Sequence, residues 1–181
     1  MKKILAYLSI FLIAIALTGC GQPQPNINYH PENDDLVYVS YSIVNKLENS
    51  LKAPISPDDP IIVASFVDVK NLKKSSTFGR IMAEQVGSRL AQKGYKVIEM
   101  KLRHNSVFVQ EGKGEFLLSR DLKAISNNHN ASAVVVGTYG RIHDRVYVSA
   151  RIVNPKNSVI LASFDYGILL NAKQMHALMK D

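Results

Sequence analysis

Ala133-Val-Val-Val-Gly-Thr-Tyr-Gly-Arg-Ile142, then His143-Asp144, then Arg145-Val-Tyr-Val-Ser-Ala-Arg-Ile-Val153 is the stretch that decides the fold. Two β-rich runs flank two turn-forming residues, the signature of a β-hairpin. In the second run Val146, Val148, Ala150 and Ile152 alternate with Arg145, Tyr147, Ser149 and Arg151. Successive strand side chains point to opposite faces, so one face packs and the other is wet, basic and aromatic-bearing. A third strand, Val159 to Ile168, follows the Asn154-Pro-Lys-Asn157 turn, which closes the chain as a three-stranded antiparallel meander.

Upstream the pattern alternates helix and strand. Leu36, Val39, Ile43, Val44, Leu47 and Leu51 recur at helical spacing and predict an amphipathic helix over 36–51. Pro54, Pro57 and Pro60 make a loop, and Ile61-Ile-Val-Ala-Ser-Phe-Val67 is apolar on both faces, which predicts an interior strand. Thr77 to Lys93 predicts a second helix with Phe78, Ile81, Met82, Val86 and Leu90 on one face. Ser76 or Thr77 is placed to cap its start, and Gly94 sits where a helix ends. Lys96 to Leu102 returns as a strand, Val107 to Val109 is a short strand, and Ser119 caps a helix through Leu122 and Ile125. A short helix spans Ala172 to Met179. The element order gives the α/β class: a mixed sheet with helices packed against it, ending in the meander. Its core is expected to unite Val63, Phe66, Ile81, Val86, Leu90, Val135, Val148 and Ile152.

The amino terminus sets the compartment. Lys2 and Lys3 precede an apolar run from Ile4 to Leu17, too short to span a bilayer and suited to a secretory signal. It ends in Leu17-Thr-Gly-Cys20, which resembles the lipobox of bacterial lipoproteins. That resemblance implies lipid attachment, palmitate included, at Cys20, which becomes the first residue after cleavage. Cys20 is the single cysteine of the 181 residues, so the exported part holds no disulfide and no thiolate metal site. Two or three acyl chains anchor stably where one is marginal. Gly21 lacks the aspartate that commonly retains lipoproteins in the inner membrane of enteric bacteria, so the outer membrane is the expected location, with the domain on its periplasmic face.

The expected organisation is therefore signal peptide 1–19, lipidated cysteine and tether 20–35, α/β domain 36–171 and C-terminal helix or tail 172–181. Removing residues 1–19, which carry Lys2 and Lys3, leaves 162 of the 181 residues and takes the formal charge from +7 to +5. That length suits one domain. An exported basic protein meets little nucleic acid; acidic wall polymers, anionic lipid or an acidic protein are the expected counterparts. Gly21 to Asp35, with Pro23, Pro25 and Pro31 among polar residues, reads as a tether. Fully extended it reaches about 50 Å at ~3.3 Å per residue.

Nothing points to catalysis or a cofactor. The five histidines, at positions 30, 104, 129, 143 and 176, lack the close helical spacing of a zinc site. Gly112-Lys-Gly114 lacks the Lys-Ser/Thr and the strand-to-helix setting of a phosphate loop. Ser65 and Asp68 have no Gly-x-Ser-x-Gly elbow around them. No enzyme and no cofactor are expected. Arg141, His143, Arg145 and Arg151, with Tyr139 and Tyr147 among them, instead suggest a partner-docking face whose chief members are Arg141, Arg145, Tyr147 and Arg151. An ordinary solvated sheet face is the alternative.

An ordered set of motifs adds a family. Val63-Ala-Ser-Phe-Val67, Thr77-Phe-Gly-Arg80, Leu90 to Gly94, Val97-Ile-Glu99, Gly114-Glu115, Leu118-Ser-Arg-Asp121, Gly137-Thr-Tyr139 and Val153 to Ser163 resemble the FlgO family of outer-membrane lipoproteins over residues 60–170. The resemblance implies the α/β domain shared with CsgG, LpoB and the TolB amino-terminal domain. It also implies an accessory role in the flagellar basal body and motility, with basal-body proteins as partners; it brings no catalytic residues. A homo-oligomer and contact with peptidoglycan stay open. A LpoB-like activator of a peptidoglycan synthase is the alternative, against which a tether of about 15 residues is short for reaching the inner membrane. A CsgG-like pore needs apolar membrane strands of ~9–11 residues, and Arg145 and Arg151 share one face of the sole candidate.

Overall fold

The computed structural model describes residues 35–98 and 126–180. Cys20, the signal, the tether, and the expected elements at Val107–Val109 and Ser119–Ile125 lie outside the described residues. So do Gly112, Gly114, His30 and His104, and all of the expected Lys96–Leu102 strand beyond Ile98.

Among the described residues the expected order is present except for the helix placed between the second and third strands, which falls outside them: α1 Leu36–Ser50, β1 Ile61–Asp68, α2 Thr77–Gln92, β2 Val97–Ile98, β3 Ala133–Ile142, β4 Arg145–Val153, β5 Ile160–Leu169 and α3 Ala172–Leu178. The five strands form one sheet in the order β2-β1-β3-β4-β5. β1 runs parallel to both β2 and β3, while β3, β4 and β5 are antiparallel, so the sheet is mixed. β1 is interior, as its two apolar faces require.

Helices α1 and α2 pack on one face, α2 over β1 and α1 over β4 and β5. Val39, Ile43, Val44 and Leu47 of α1 meet Phe78, Met82, Val86 and Leu90 of α2 and the inward row Val146, Val148, Ala150 and Ile152 of β4. Fully burying each of these side chains larger than alanine stabilises by roughly 1.5–3 kcal/mol. The other face of β1 and β3 buries a smaller group, Ile62, Ala64, Val67, Ala131, Val134 and Val136. Six of the eight expected core residues lie in the main core, and Val63 packs against it. Ile81 does not belong: it is half-buried, because 100° per residue places it at the edge of the stripe led by Phe78, Met82 and Val86.

The start of α2 differs from expectation. Ser76 is the N-cap, yet its side chain makes no capping bond. Ser76 is buried, and its backbone N–H donates to the Tyr139 hydroxyl at 2.8 Å. The Thr77 N–H donates to the Lys180 carbonyl at 3.0 Å. Tertiary partners thus satisfy donors that a local cap would otherwise take. At the other end Gly94 has φ +89°, the left-handed conformation that ends helices. α3 is held by an Asn171–Gln174 capping box, and Met175 enters the main core, so the C-terminal helix is part of the domain.

Candidate docking face on the closing meander

A two-residue loop sets the geometry of the hairpin. His143 takes φ +56° between the strands, which pairs Ile142 with Arg145 and Arg141 with Val146. Directly opposite residues on antiparallel strands share a face. Val146 is fully buried beneath the helices, so Arg141 stands on the helix-bearing side of the sheet. Arg145, Tyr147 and Arg151 stand on the opposite side, where Tyr147 and Arg151 are exposed and Arg145 is half-buried. The structure therefore divides the expected docking group: Arg141 does not belong with the other three. The signal was available, since a two-residue His143-Asp144 turn dictates this register.

Tyr139 also leaves the group. It is 3% exposed, stacks edge-on against Phe78 with ring centroids 5.3 Å apart, and accepts the Ser76 N–H. It is a core residue with its hydroxyl satisfied.

On that side Tyr147 is central and 42% exposed. Its cross-strand neighbours are Gly140 on β3 and Gly167 on β5. A side chain at Gly167 would meet the Tyr147 ring at 3.8 Å and the Arg145 Cδ at 3.6 Å. Gly167 lets the ring and the arginine stem lie across β5, as side chains do where a strand glycine leaves room, whereas the space at Gly140 is taken by Val69. Sequence reading missed both; the alternation alone gives no hint of them, whereas the strand register does.

The neighbouring row pairs Thr138, Ser149 and Asp165, with the Ser149 hydroxyl donating to the Asp165 carboxylate. Beyond it Arg151 faces Val136 and Ser163. Two arginines thus bracket a tyrosine on the sheet surface, with the Asp165 carboxylate accepting from a serine. Tyrosine and arginine are the residue types that dominate binding interfaces, and guanidinium groups suit carboxylate or phosphate partners. Among the described residues no three His, Cys, Asp or Glu side chains are grouped to hold a metal ion. No described helix is long and apolar enough to cross a membrane.

A separate polar link ties α1 to α2. Lys93 Nζ lies 2.5 Å from Glu48 Oε2, and the Tyr95 hydroxyl donates to Glu48 Oε1 at 3.0 Å. The Lys93 hydrogen bond holds the Glu48 carboxyl below its ordinary value, while burial beside that carboxylate pushes Tyr95 up. The group is structural: it joins the C-terminal parts of both helices.

The mixed five-stranded sheet with α1 and α2 packed on one face defines a class, the α/β domain found in LpoB. The LpoB C-terminal domain from Salmonella enterica is similar at a TM-score of 0.54 and 12% identity, covering 75% of this chain and 98% of that chain. The Escherichia coli LpoB C-terminal domain gives 0.51 and 13%, covering 74% and 98%. The NMR structure of E. coli LpoB gives 0.52 and 14%, covering 82% and 73%. These likenesses concern the fold. The chain belongs to the FlgO family, whose model, described as FlgO protein, matches residues 41–173. A comparison with curated proteins finds no match.

Proposed function

We propose that this protein is a non-enzymatic lipoprotein, anchored through Cys20 to the periplasmic face of the outer membrane, that serves the flagellum as an accessory of basal-body assembly or stability. The observation that carries this reading is the FlgO family match over residues 41–173. The lipobox-like Leu17-Thr-Gly-Cys20 supports the anchor, and the short tether supports a partner close to the membrane. The mechanism is docking. Arg145, Tyr147 and Arg151 present a rigid, cationic and aromatic sheet face to an acidic patch of a basal-body protein. A strand-borne patch needs little ordering on contact, which lowers the entropic cost of association.

A second reading, activation of peptidoglycan synthesis, has one observation in its favour: the fold matches LpoB C-terminal domains over nearly their whole length. Deletion of the protein separates the two. Impaired swimming in soft agar and fewer flagella per cell, with unchanged β-lactam sensitivity, are the expected outcome. Normal motility with new β-lactam hypersensitivity would reject the flagellar reading and favour the second.

A further inference from the structure

The sheet has a topological switch point, and it lies open. From β1 the chain passes to β2 on one side, and later enters β3 on the other side of β1; both neighbours are parallel to it. In open α/β sheets, connections leaving in opposite directions create a crevice beyond the carboxyl ends of the strands, and ligands bind there. Here the β1–β3 ladder closes with the Val69 N–H donating to the Tyr139 carbonyl at 2.8 Å. Beyond that bond the two strands part. β1 turns back through an Asp68-centred turn, with the Asn71 N–H on the Asp68 carbonyl and the Lys70 N–H on Asp68 Oδ1. β3 continues into the His143 turn. Between them opens a cleft of about 340 Å³ lined by Asp68, Lys70, Tyr139, Arg141, His143 and Met179. This volume lies at the lower end of the range for small-molecule sites, ~300–1,000 Å³.

The lining is chemically two-sided. Lys70 and Arg141 bring an ammonium and a guanidinium group, the His143 imidazole shares the lining, and Asp68 supplies one carboxylate. Much of this capacity is unspent by the fold. The turn uses one of the two Asp68 oxygens, and Arg141 directs one of its five N–H donors, on Nε, to the His143 carbonyl at 3.1 Å. A plain anion would be drawn to Lys70 and Arg141 but repelled by Asp68. A ligand carrying a carboxylate and an ammonium group satisfies both sides. Met179 gives the cleft an apolar wall, held in place by the Lys180 carbonyl on the α2 N-terminus. A second cavity, beneath α1 and lined by Val44, Leu47 and Val135, holds about 10 Å³ and is a packing gap.

We infer that the switch-point cleft binds a small zwitterion of one or two amino-acid residues, its carboxylate held by Arg141 and Lys70 and its ammonium by Asp68. This site is independent of the docking face, and the inference does not depend on the flagellar reading.

The test is calorimetric titration of the full-length chain in detergent with L-alanine, L-alanyl-L-alanine, N-acetyl-L-alanyl-L-alanine and inorganic phosphate. Saturable binding of alanine or its dipeptide is expected, weakened by about tenfold or more in Arg141→Gln and Lys70→Gln and unchanged in Lys156→Gln. Asp68→Asn keeps the turn acceptor and should reduce dipeptide affinity to that of the N-acetyl form. Melting temperatures equal to the unsubstituted protein would show that the variants fold. No saturable binding of either zwitterion up to about 10 mM would overturn the site. Equal loss in Lys156→Gln would overturn its location. Phosphate binding tighter than the dipeptide, with Asp68→Asn improving it, would overturn the ligand class.

Discussion

Two glycines of α2 should respond to alanine with opposite signs. Gly79 lies in the first turn, where the helix approaches the sheet most closely: an added Cβ would fall 2.0 Å from the Phe66 carbonyl oxygen, 2.5 Å from Ser75 Oγ and 2.8 Å from Tyr139 Cε1. The first obstacle is backbone, so the helix start must lift by more than an ångström. Overpacking of this kind costs about 1–3 kcal/mol. The lift also strains the Ser75 hydroxyl bond to Phe66 O and the Ser76 N–H bond to the Tyr139 hydroxyl, each worth about 0.5–1.5 kcal/mol. Alanine returns at most about 1 kcal/mol of helix propensity. The net expectation for Gly79→Ala is a loss of about 2–4 kcal/mol. Gly87 lies two turns on, and its added Cβ would touch only Val63 Cγ2 and Val97 Cγ1, both at 3.9 Å. Gly87→Ala meets no obstacle and should gain about 0.5–1 kcal/mol. Urea unfolding monitored by circular dichroism measures both. At this chain length 1 kcal/mol corresponds to about 2–4 °C, so the melting temperatures should separate clearly. A Gly79→Ala protein as stable as the unsubstituted one, or a Gly87→Ala protein destabilised as much as Gly79→Ala, would refute the helix-on-sheet packing.

Cys20→Ser should abolish fatty-acid labelling and move the protein from the membrane pellet to the soluble fraction; a variant that still labels and pellets contradicts lipid anchoring. The double change Arg145→Glu with Arg151→Glu leaves the buried row of β4 untouched, so the variant should fold and stay anchored while motility in soft agar falls. Interface charges act chiefly on association rate, and the defect should deepen as salt is lowered, when reversed charges repel most. Glu48, whose carboxyl lies below its ordinary value of 4.5, stabilises the fold above that pH, and this contribution is lost as the pH falls through the lowered folded value. The stability difference between the unsubstituted protein and Lys93→Met, up to about 1 kcal/mol for a half-buried surface pair, should therefore be present at pH 7 and vanish in acid; a difference constant down to pH ~3 would contradict the pairing.

How far the sequence was legible depended on how local the physics was. Alternation in Arg145–Val153 and the helical stripes through Val39–Leu47 and Phe78–Leu90 are short-range patterns, and they emerged with bounds correct to about a residue. Ser76 is the α2 N-cap as its sequence position suggests, but the side-chain bond is absent, because the donors are answered by Tyr139 and Lys180, distant in sequence and brought near only by the fold. The docking group was read from clustering along the chain, which put Arg141 beside Arg145. The two-residue turn places them on opposite faces instead. Gly167 acquires its role only once β5 flanks Tyr147. The switch-point cleft escaped for the same reason: Asp68 and Arg141 are neighbours through strand order, which no single segment announces.

The central claim, a lipid-anchored accessory of the flagellum, is tested most directly by quantifying the protein in purified basal bodies from otherwise unaltered cells and from cells carrying Cys20→Ser. The account predicts that the unsubstituted protein copurifies with outer-membrane-bearing basal bodies and that Cys20→Ser is depleted from them. Uniform recovery in the bulk envelope with none in basal bodies would contradict it.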